Sequence, residues 1–306
     1  MSEPGAAMKA CLVAERDGFA WYHVEDVRGP ALDELAARYH LHELAVEDCR
    51  NQRQRAKVED YDNSVFVIAN NVHFEPEKDE CYLGEIDFFV AKDFFISVHE
   101  GPSKSFRAVR PQLDRDAKLL HPGRLLEVFL DWLVDQYLPI LDTIEERIEK
   151  LEEAVVEQPS PRILSQIFTL RRALINFRRV ASSMREVANH LLNRSEPWFR
   201  SQHAYYRNIY DHLIRALDFV ETYRDILNGV LDVHLTATAN RTNEIMKVLT
   251  VFATLATPFL VISGLYGMNF EFMPLVHHPY GVWWVSGVML ASGLLMVWYF
   301  KRKGWI

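Results

Sequence analysis

A chain of 306 residues is long enough for a sizeable core and more than one domain. Its net charge of −8 argues against nucleic acid as a partner and suits the attraction of cations. Cys11, Cys49 and Cys81 are widely spaced and form no CxxC pair, so they fit reduced thiols rather than a disulfide framework or a zinc ribbon.

Residues 1–21 hold no basic stretch followed by an apolar run, so no cleaved signal is expected. Residues 9–100 then alternate strand-like and helix-like segments. "ACLVAE" and "GFAWYHV" flank an Arg-Asp-Gly hairpin signal, "ALDELAARYH" and "ELAVEDCRN" have helical spacing, and "SVFVIANNVHF" and "EIDFFVAKDFFISVHE" are rich in Val, Ile and Phe. The pattern predicts an α+β cytosolic domain with a mixed sheet over 1–120. No glycine-rich phosphate loop, GxSxG or HExxH occurs in it, so nothing points to an enzyme.

Long helices are expected over 121–245. One runs over 124–157, interrupted only by Pro139, and "EQPSP" ends it. A second runs from about 162 to 194, stopped by "NRSEPW". A third starts near Gln202 and meets no proline before Pro258, so at ~1.5 Å per residue it exceeds roughly 80 Å. Charge on these helices is segregated. Asp142, Glu145, Glu146, Glu149, Glu152, Glu153 and Glu157 are answered on the next helix by Arg171, Arg172, Arg178, Arg179 and Arg185. Two antiparallel helices with complementary faces are one reading; a charged structure around an ion path is the other.

Beyond about Lys247 the only charged residues are Glu271, Lys301, Arg302 and Lys303. Two apolar runs each exceed the roughly 20 residues that cross a hydrocarbon layer as a helix. They predict a membrane domain over 246–306: a first span at about 246–266, an outer loop at 267–279 and a second span at about 280–300. Arg241 and Lys247 precede the first span and Lys301–Lys303 follow the second, while the loop carries no Lys or Arg. Both termini are therefore expected on the cytoplasmic side of the inner or plasma membrane.

Two helices in one chain cannot enclose an aqueous path, so transport would require several copies around an axis. On the first span Asn243, Met246, Thr250, Ala253, Thr257, Leu260 and Gly264 recur at spacings of three and four, one helix face that is mostly small or weakly polar. Close packing of helices accounts for such a face as well as a pore does. Trp283, Trp284, Trp298 and Tyr299 gather near the ends of the second span, as interfacial aromatics do, which marks it as the lipid-facing helix.

Between the spans stands "YGMNFEFMP", and the chain closes on "YFKRKGWI". With "TNEIMKVLT" at 242–250, "VETYRDILNGVLDVHL" at 220–235 and "VED" at 46–48, this closely resembles the CorA magnesium channel family over almost the whole chain. The resemblance implies a funnel-shaped homopentamer in membrane lipid that passes Mg²⁺, and also Co²⁺ and Ni²⁺, down the electrochemical gradient. It implies a selectivity mouth at Gly267, Met268 and Asn269, with the Asn269 ring receiving the hydrated ion. Pore-lining positions carry over to Asn243, Met246, Leu249, Thr257 and Gly264, joining Thr250 and Ala253 of the stripe, and Asp232 matches an acid at the cytosolic pore entrance. Gly267 is expected to supply backbone conformations closed to other residues.

Two departures from the family pattern stand out. Leu275 occupies the place of an acid after "MP", which leaves Glu271 as the outer carboxylate. "YYRNIYDH" puts Asn208 where an Asp would supply a regulatory Mg²⁺ ligand, with Glu47, Asp48 and Asp131 as candidate partners. His277 and His278 are read as surface loop residues. A zinc transporter of the same superfamily and a membrane-anchored oligomeric scaffold without conductance are the competing functions. The stripe holds no Cys or His for Zn²⁺.

Overall fold

In a computed structural model, residues 11–52, 54–157, 159–268, 273–275 and 277–305 are described. The chain divides into two compact units, Met1–Leu231 and Asp232–Ile306.

The first unit opens with strand β1 (Leu12–Arg16), β2 (Phe19–Val24), helix α1 (Pro30–Tyr39), α2 (Glu43–Arg50), β3 (Lys57–Tyr61), β4 (Ser64–Glu75), β5 (Glu80–Val90) and β6 (Phe94–Val98). They form one six-stranded sheet in the order β1-β2-β6-β5-β4-β3. Every pairing is antiparallel except β2 with β6, which makes the sheet mixed. The expected hairpin at Arg16-Asp17-Gly18 is present, with Asp17 and Gly18 both at positive φ. "EIDFFVAKDFFISVHE" divides into two strands: Ala91 N–H donates to Phe94 O at 3.0 Å and turns the chain at Lys92-Asp93.

Both faces of the sheet are covered at its centre, which explains why residues 65–69 of β4 read as an unbroken apolar run. Phe66 and Ile68 join Leu32, Leu35, Ala45 and Cys49 of α1 and α2 in one core. Val65, Val67 and Ala69 point the other way, into a second core with Trp21, Phe88 and the helices that follow.

Those helices are α3 (Lys104–Arg115), α4 (Pro122–Asp135), α5 (Tyr137–Glu157), α6 (Pro161–Leu192), the short α7 (Pro197–Arg200) and α8 (His203–Tyr266). The single helix expected over 124–157 is thus two. Pro139 has no N–H to donate to Asp135 O, and the helix breaks at that bond. Ser160 caps α6, its hydroxyl accepting from Ile163 N–H, with Pro161 in the first turn. Leu141, Ile144, Ile148 and Leu151 of α5 and Ile167, Leu170, Leu174 and Phe177 of α6 are buried at helical spacing. The buried Tyr137 hydroxyl donates to Asn70 O at 2.9 Å and ties α5 to the sheet. Gly123 is required by close approach: a Cβ there would lie 2.0 Å from Trp198 O.

The complementary faces expected of α5 and α6 are not formed. All seven acids of α5 are exposed, and among the described residues no arginine of α6 pairs with one of them. The one arginine of α5, Arg147, turns to the sheet instead and holds Asp79 bidentately at 2.7 and 3.1 Å. Arg178 of α6 pairs with Glu221 of α8 at 2.6 Å.

Glu127 of α4 is buried in this unit beside Arg124. Burial pushes its carboxyl up from 4.5 to about 7, the Arg124 guanidinium opposing. The fold favours the protonated form, so this contribution is present in full below about pH 4.5 and is lost as pH rises through about 7. At roughly 1.4 kcal/mol per unit, it amounts to about 3–4 kcal/mol at most. The stability advantage of wild type over Glu127→Gln should therefore shrink between those two pH values. Parallel thermal unfolding of both proteins checks this, and a pH-independent difference would refute it.

Candidate functional site

The second unit holds the end of α8 and helix α9 (Gly281–Arg302), both long and apolar enough to cross a membrane. Pro258 lies inside α8 without ending it. The polar side chains of this segment close onto the helix itself: Thr250 Oγ1 donates to Met246 O at 2.7 Å, Thr257 Oγ1 to Ala253 O at 2.8 Å and Ser263 Oγ to Phe259 O at 2.6 Å. Their hydroxyl protons are used, and their remaining lone pairs are acceptors only.

One face of α8 packs on α9. Val251 of α8 and Gly281 and Phe300 of α9 are buried, and Val285, Met289, Ser292, Gly293 and Met296 continue that stripe on α9 half-buried. Gly293 allows the approach, since a Cβ there would meet Phe259 Cζ at 3.2 Å. Lys247 Nζ donates to Gly304 O at 2.8 Å, beyond the apolar stretch.

The sequence-derived stripe lies elsewhere on the helix. At roughly 100° per residue it is about a third of a turn from the packed face. Asn243, Met246, Leu249, Thr250, Ala253, Thr257, Leu260 and Gly264 are all exposed in the single chain, Leu249 at 60% and Leu260 at 69%. Asp232, also exposed, stands on the same face further toward the amino terminus.

Gly267 and Met268 continue from the helix end: Gly267 N–H donates to Ser263 O at 2.9 Å and Met268 N–H to Leu265 O at 3.2 Å. Gly267 does not have the positive φ that only glycine adopts freely; among the described residues of this loop the positive φ falls on Leu275, at 67°. What glycine supplies at 267 is room, because a Cβ would sit 3.1 Å from Ser263 O. Asn269 and Glu271 lie outside the described residues. Tyr266 OH donates to Pro274 O at 3.1 Å across the loop.

The four regulatory candidates fall in two places in the first unit. Glu47 and Asp48 are on α2. Asp48 Oδ2 is 2.7 Å from Lys57 Nζ, which also meets Glu59 Oε1 at 2.7 Å. Asp131 is on α4, its carboxyl raised by burial first and by Asp135 next. Asn208 is exposed on α8, one turn before His212, which lies 3.4 Å from Asp135. Among the described residues no three His, Cys, Asp or Glu side chains come together in one chain to hold a metal ion. Lys57 was not legible as a partner of Asp48. The available signal was the strand alternation of "KVEDY", which puts Lys57, Glu59 and Tyr61 on one face.

The profile of the CorA-like Mg²⁺ transporter proteins matches residues 16–302. The chain is 34% identical over 291 residues to the cobalt/magnesium transport protein CorA of Thermotoga maritima, covering 94% of this chain and 83% of that one. It is also 34% identical over 297 residues to a putative metal ion transporter of Bacillus subtilis, YfjQ, covering 95% and 92%. Its fold is similar to the complete structure of the CorA magnesium transporter from Methanocaldococcus jannaschii, with a TM-score of 0.84 at 23% identity over 96% of this chain and 93% of that one. With a profile spanning nearly its whole length, two membrane-length helices at its carboxyl end and a mixed α/β unit before them, the chain belongs to the CorA-like Mg²⁺ transporter family.

Proposed function

We propose that this protein is a homopentameric channel that carries Mg²⁺, and Co²⁺ as its Thermotoga relative's name indicates, into the cytoplasm down the electrochemical gradient. The observation that carries the reading is the face of α8 that α9 leaves open, with weakly polar groups recurring along it. Copies of α8 around an axis cover that face and make it a pore wall. The basic residues at the start of the first span and the end of the second, away from the loop, orient the termini to the cytoplasm, in the inner or plasma membrane.

The chemistry follows from what the stripe offers. Mg²⁺ gives up its water reluctantly, so a wall that admits it must receive the water shell. Bound waters present hydrogen-bond donors outward, and Thr250 and Thr257 present acceptors only, their protons being held by Met246 O and Ala253 O. Asn269, carried over from the family's Gly-Met-Asn signature, supplies further oxygens at the mouth. Met246 and Leu249 form apolar rings that exclude water when the pore is narrow. An inside-negative potential draws a divalent ion with ~4–5 kcal/mol per 100 mV. The zinc transporter reading finds no Cys or His on the stripe. Mg²⁺ uptake into proteoliposomes under an imposed potential tests the function; an assembled oligomer without flux would establish the scaffold instead.

Regulation by cytosolic Mg²⁺ is proposed at Glu47, Asp48, Asp131 and Asn208. Asn208 brings a neutral oxygen in place of a carboxylate, and Asp48 already holds the Lys57 ammonium, so an incoming ion competes with a tethered one. Both features set closure at higher Mg²⁺.

Three outcomes check these assignments. Asn269→Ala should lower Mg²⁺ uptake by roughly tenfold or more, the scale of lost charge-assisted hydrogen bonds, with the oligomer intact on size exclusion; uptake at the wild-type rate removes Asn269 from the mouth. Met246→Ser should raise resting leak in planar bilayers by wetting the constriction, and an unchanged leak places Met246 off the axis. Asn208→Asp and Lys57→Gln should each lower the Mg²⁺ concentration that halves the current, and curves identical to wild type exclude this site from gating.

A further inference from the structure

The arginines of α6 are left unexplained by ion conduction, and among the described residues none of them pairs with an acid of α5. Three of the α6 arginines, Arg178, Arg179 and Arg185, line a cleft of about 630 Å³ between α6, α8 and the segment before β3, joined there by Arg55 and Arg224. Five guanidinium groups face three carboxylates, Glu186, Asp218 and Glu221. Glu221 is taken at both oxygens, by Arg178 at 2.6 Å and Arg224 at 2.7 Å. Arg55, Arg179 and Arg185 have no carboxylate partner among the described residues.

Unpaired guanidinium groups crowded in one concavity repel each other, and a multivalent anion removes that repulsion while giving each planar fork an oxygen partner. The floor of the cleft is of another kind. Leu174, Val220 and Ala56 are buried beneath it and Ile175 and Leu217 reach its surface, so part of the ligand must be apolar or planar. Glu186 on the α6 wall and Asp218 on the α8 wall are suited to accept hydrogen bonds from hydroxyl groups. The volume falls within the roughly 300–1,000 Å³ of small-molecule sites.

We propose that this cleft binds a nucleoside polyphosphate: phosphates on Arg55, Arg179 and Arg185, sugar hydroxyls toward the carboxylates, and the base over the apolar floor. Inorganic pyrophosphate shares the phosphate chemistry but leaves the floor and the carboxylates unmatched.

The test is equilibrium dialysis of ATP against the full-length protein in detergent, with a chelator present so that divalent ions play no part. One ATP per chain is expected. Arg179→Gln with Arg185→Gln should weaken binding by roughly tenfold or more, the scale of two lost charge-assisted contacts. Arg172→Gln, on the same helix but outside the cleft, should leave it unchanged, and pyrophosphate should bind roughly tenfold more weakly than ATP. Arg55→Gln, on the opposite wall, repeats the test should the double variant fail to fold, and should itself weaken ATP. Absence of ATP binding overturns the site. Equal loss in Arg172→Gln reduces it to general charge attraction and overturns it too, and pyrophosphate binding as tight as ATP overturns the nucleoside assignment. None of these readouts depends on ion flux, so their failure is separate from failure of the transport reading.

Discussion

Every backbone polar group inside a hydrocarbon layer must find its partner within the protein, and the second unit is built around that constraint. It explains why α8 runs through Pro258 as helix, and why Thr250, Thr257 and Ser263 close their hydroxyls onto the preceding turn. It also explains why Lys247 and the Lys301–Lys303 cluster stand at the ends of the spans. The same economy determines what the open face can offer an ion: oxygen acceptors and apolar bulk, with no fixed charge between Lys247 and the loop.

The first unit answers to a different constraint, a sheet whose central strands are buried on both faces. Two helices cover one face and the long helices cover the other, so polar groups near the sheet are met individually. Asp79 takes Arg147, Asn70 takes Ala56 N–H and the Tyr137 hydroxyl, and Asp48 takes Lys57. These ties use the few basic residues near the sheet and leave the acids of α5 to solvent. Arg178, Arg179 and Arg185 of α6 face a cleft rather than a neighbouring acidic helix, and that gives the first unit a cationic concavity in a chain of net negative charge.

Much of the fold was legible because its signals are periodic or categorical. The spans show as charge-free runs, the helices as segments bounded by Ser, Pro and Asn, and the hairpin as Arg-Asp-Gly between strand-like residues. The family shows in the Gly-Met-Asn loop and its flanks. Periodicity also marked the stripe on α8, because helical spacing alone determines which side chains share a face.

What only the tertiary structure decided concerns partners distant in sequence. Charge segregation between α5 and α6 suggested that they pair, but pairing depends on which way each face turns. Arg178 turns to Glu221 and Arg147 to Asp79. The break at Gln136 and the division of β5 from β6 each rest on one local hydrogen bond, absent at Pro139 and present from Ala91 to Phe94, which no composition rule weighs. Gly267 was expected to supply backbone conformations closed to other residues, but among the described residues of the loop the positive φ falls on Leu275, and a Cβ at 267 would crowd Ser263 O. The sequence by itself determined the type and order of most elements, the membrane spans and the face of α8 that carries the stripe, because these follow from spacing along one chain. The structure decided which charges meet and which face α9 covers, because those depend on contacts between residues far apart in the chain.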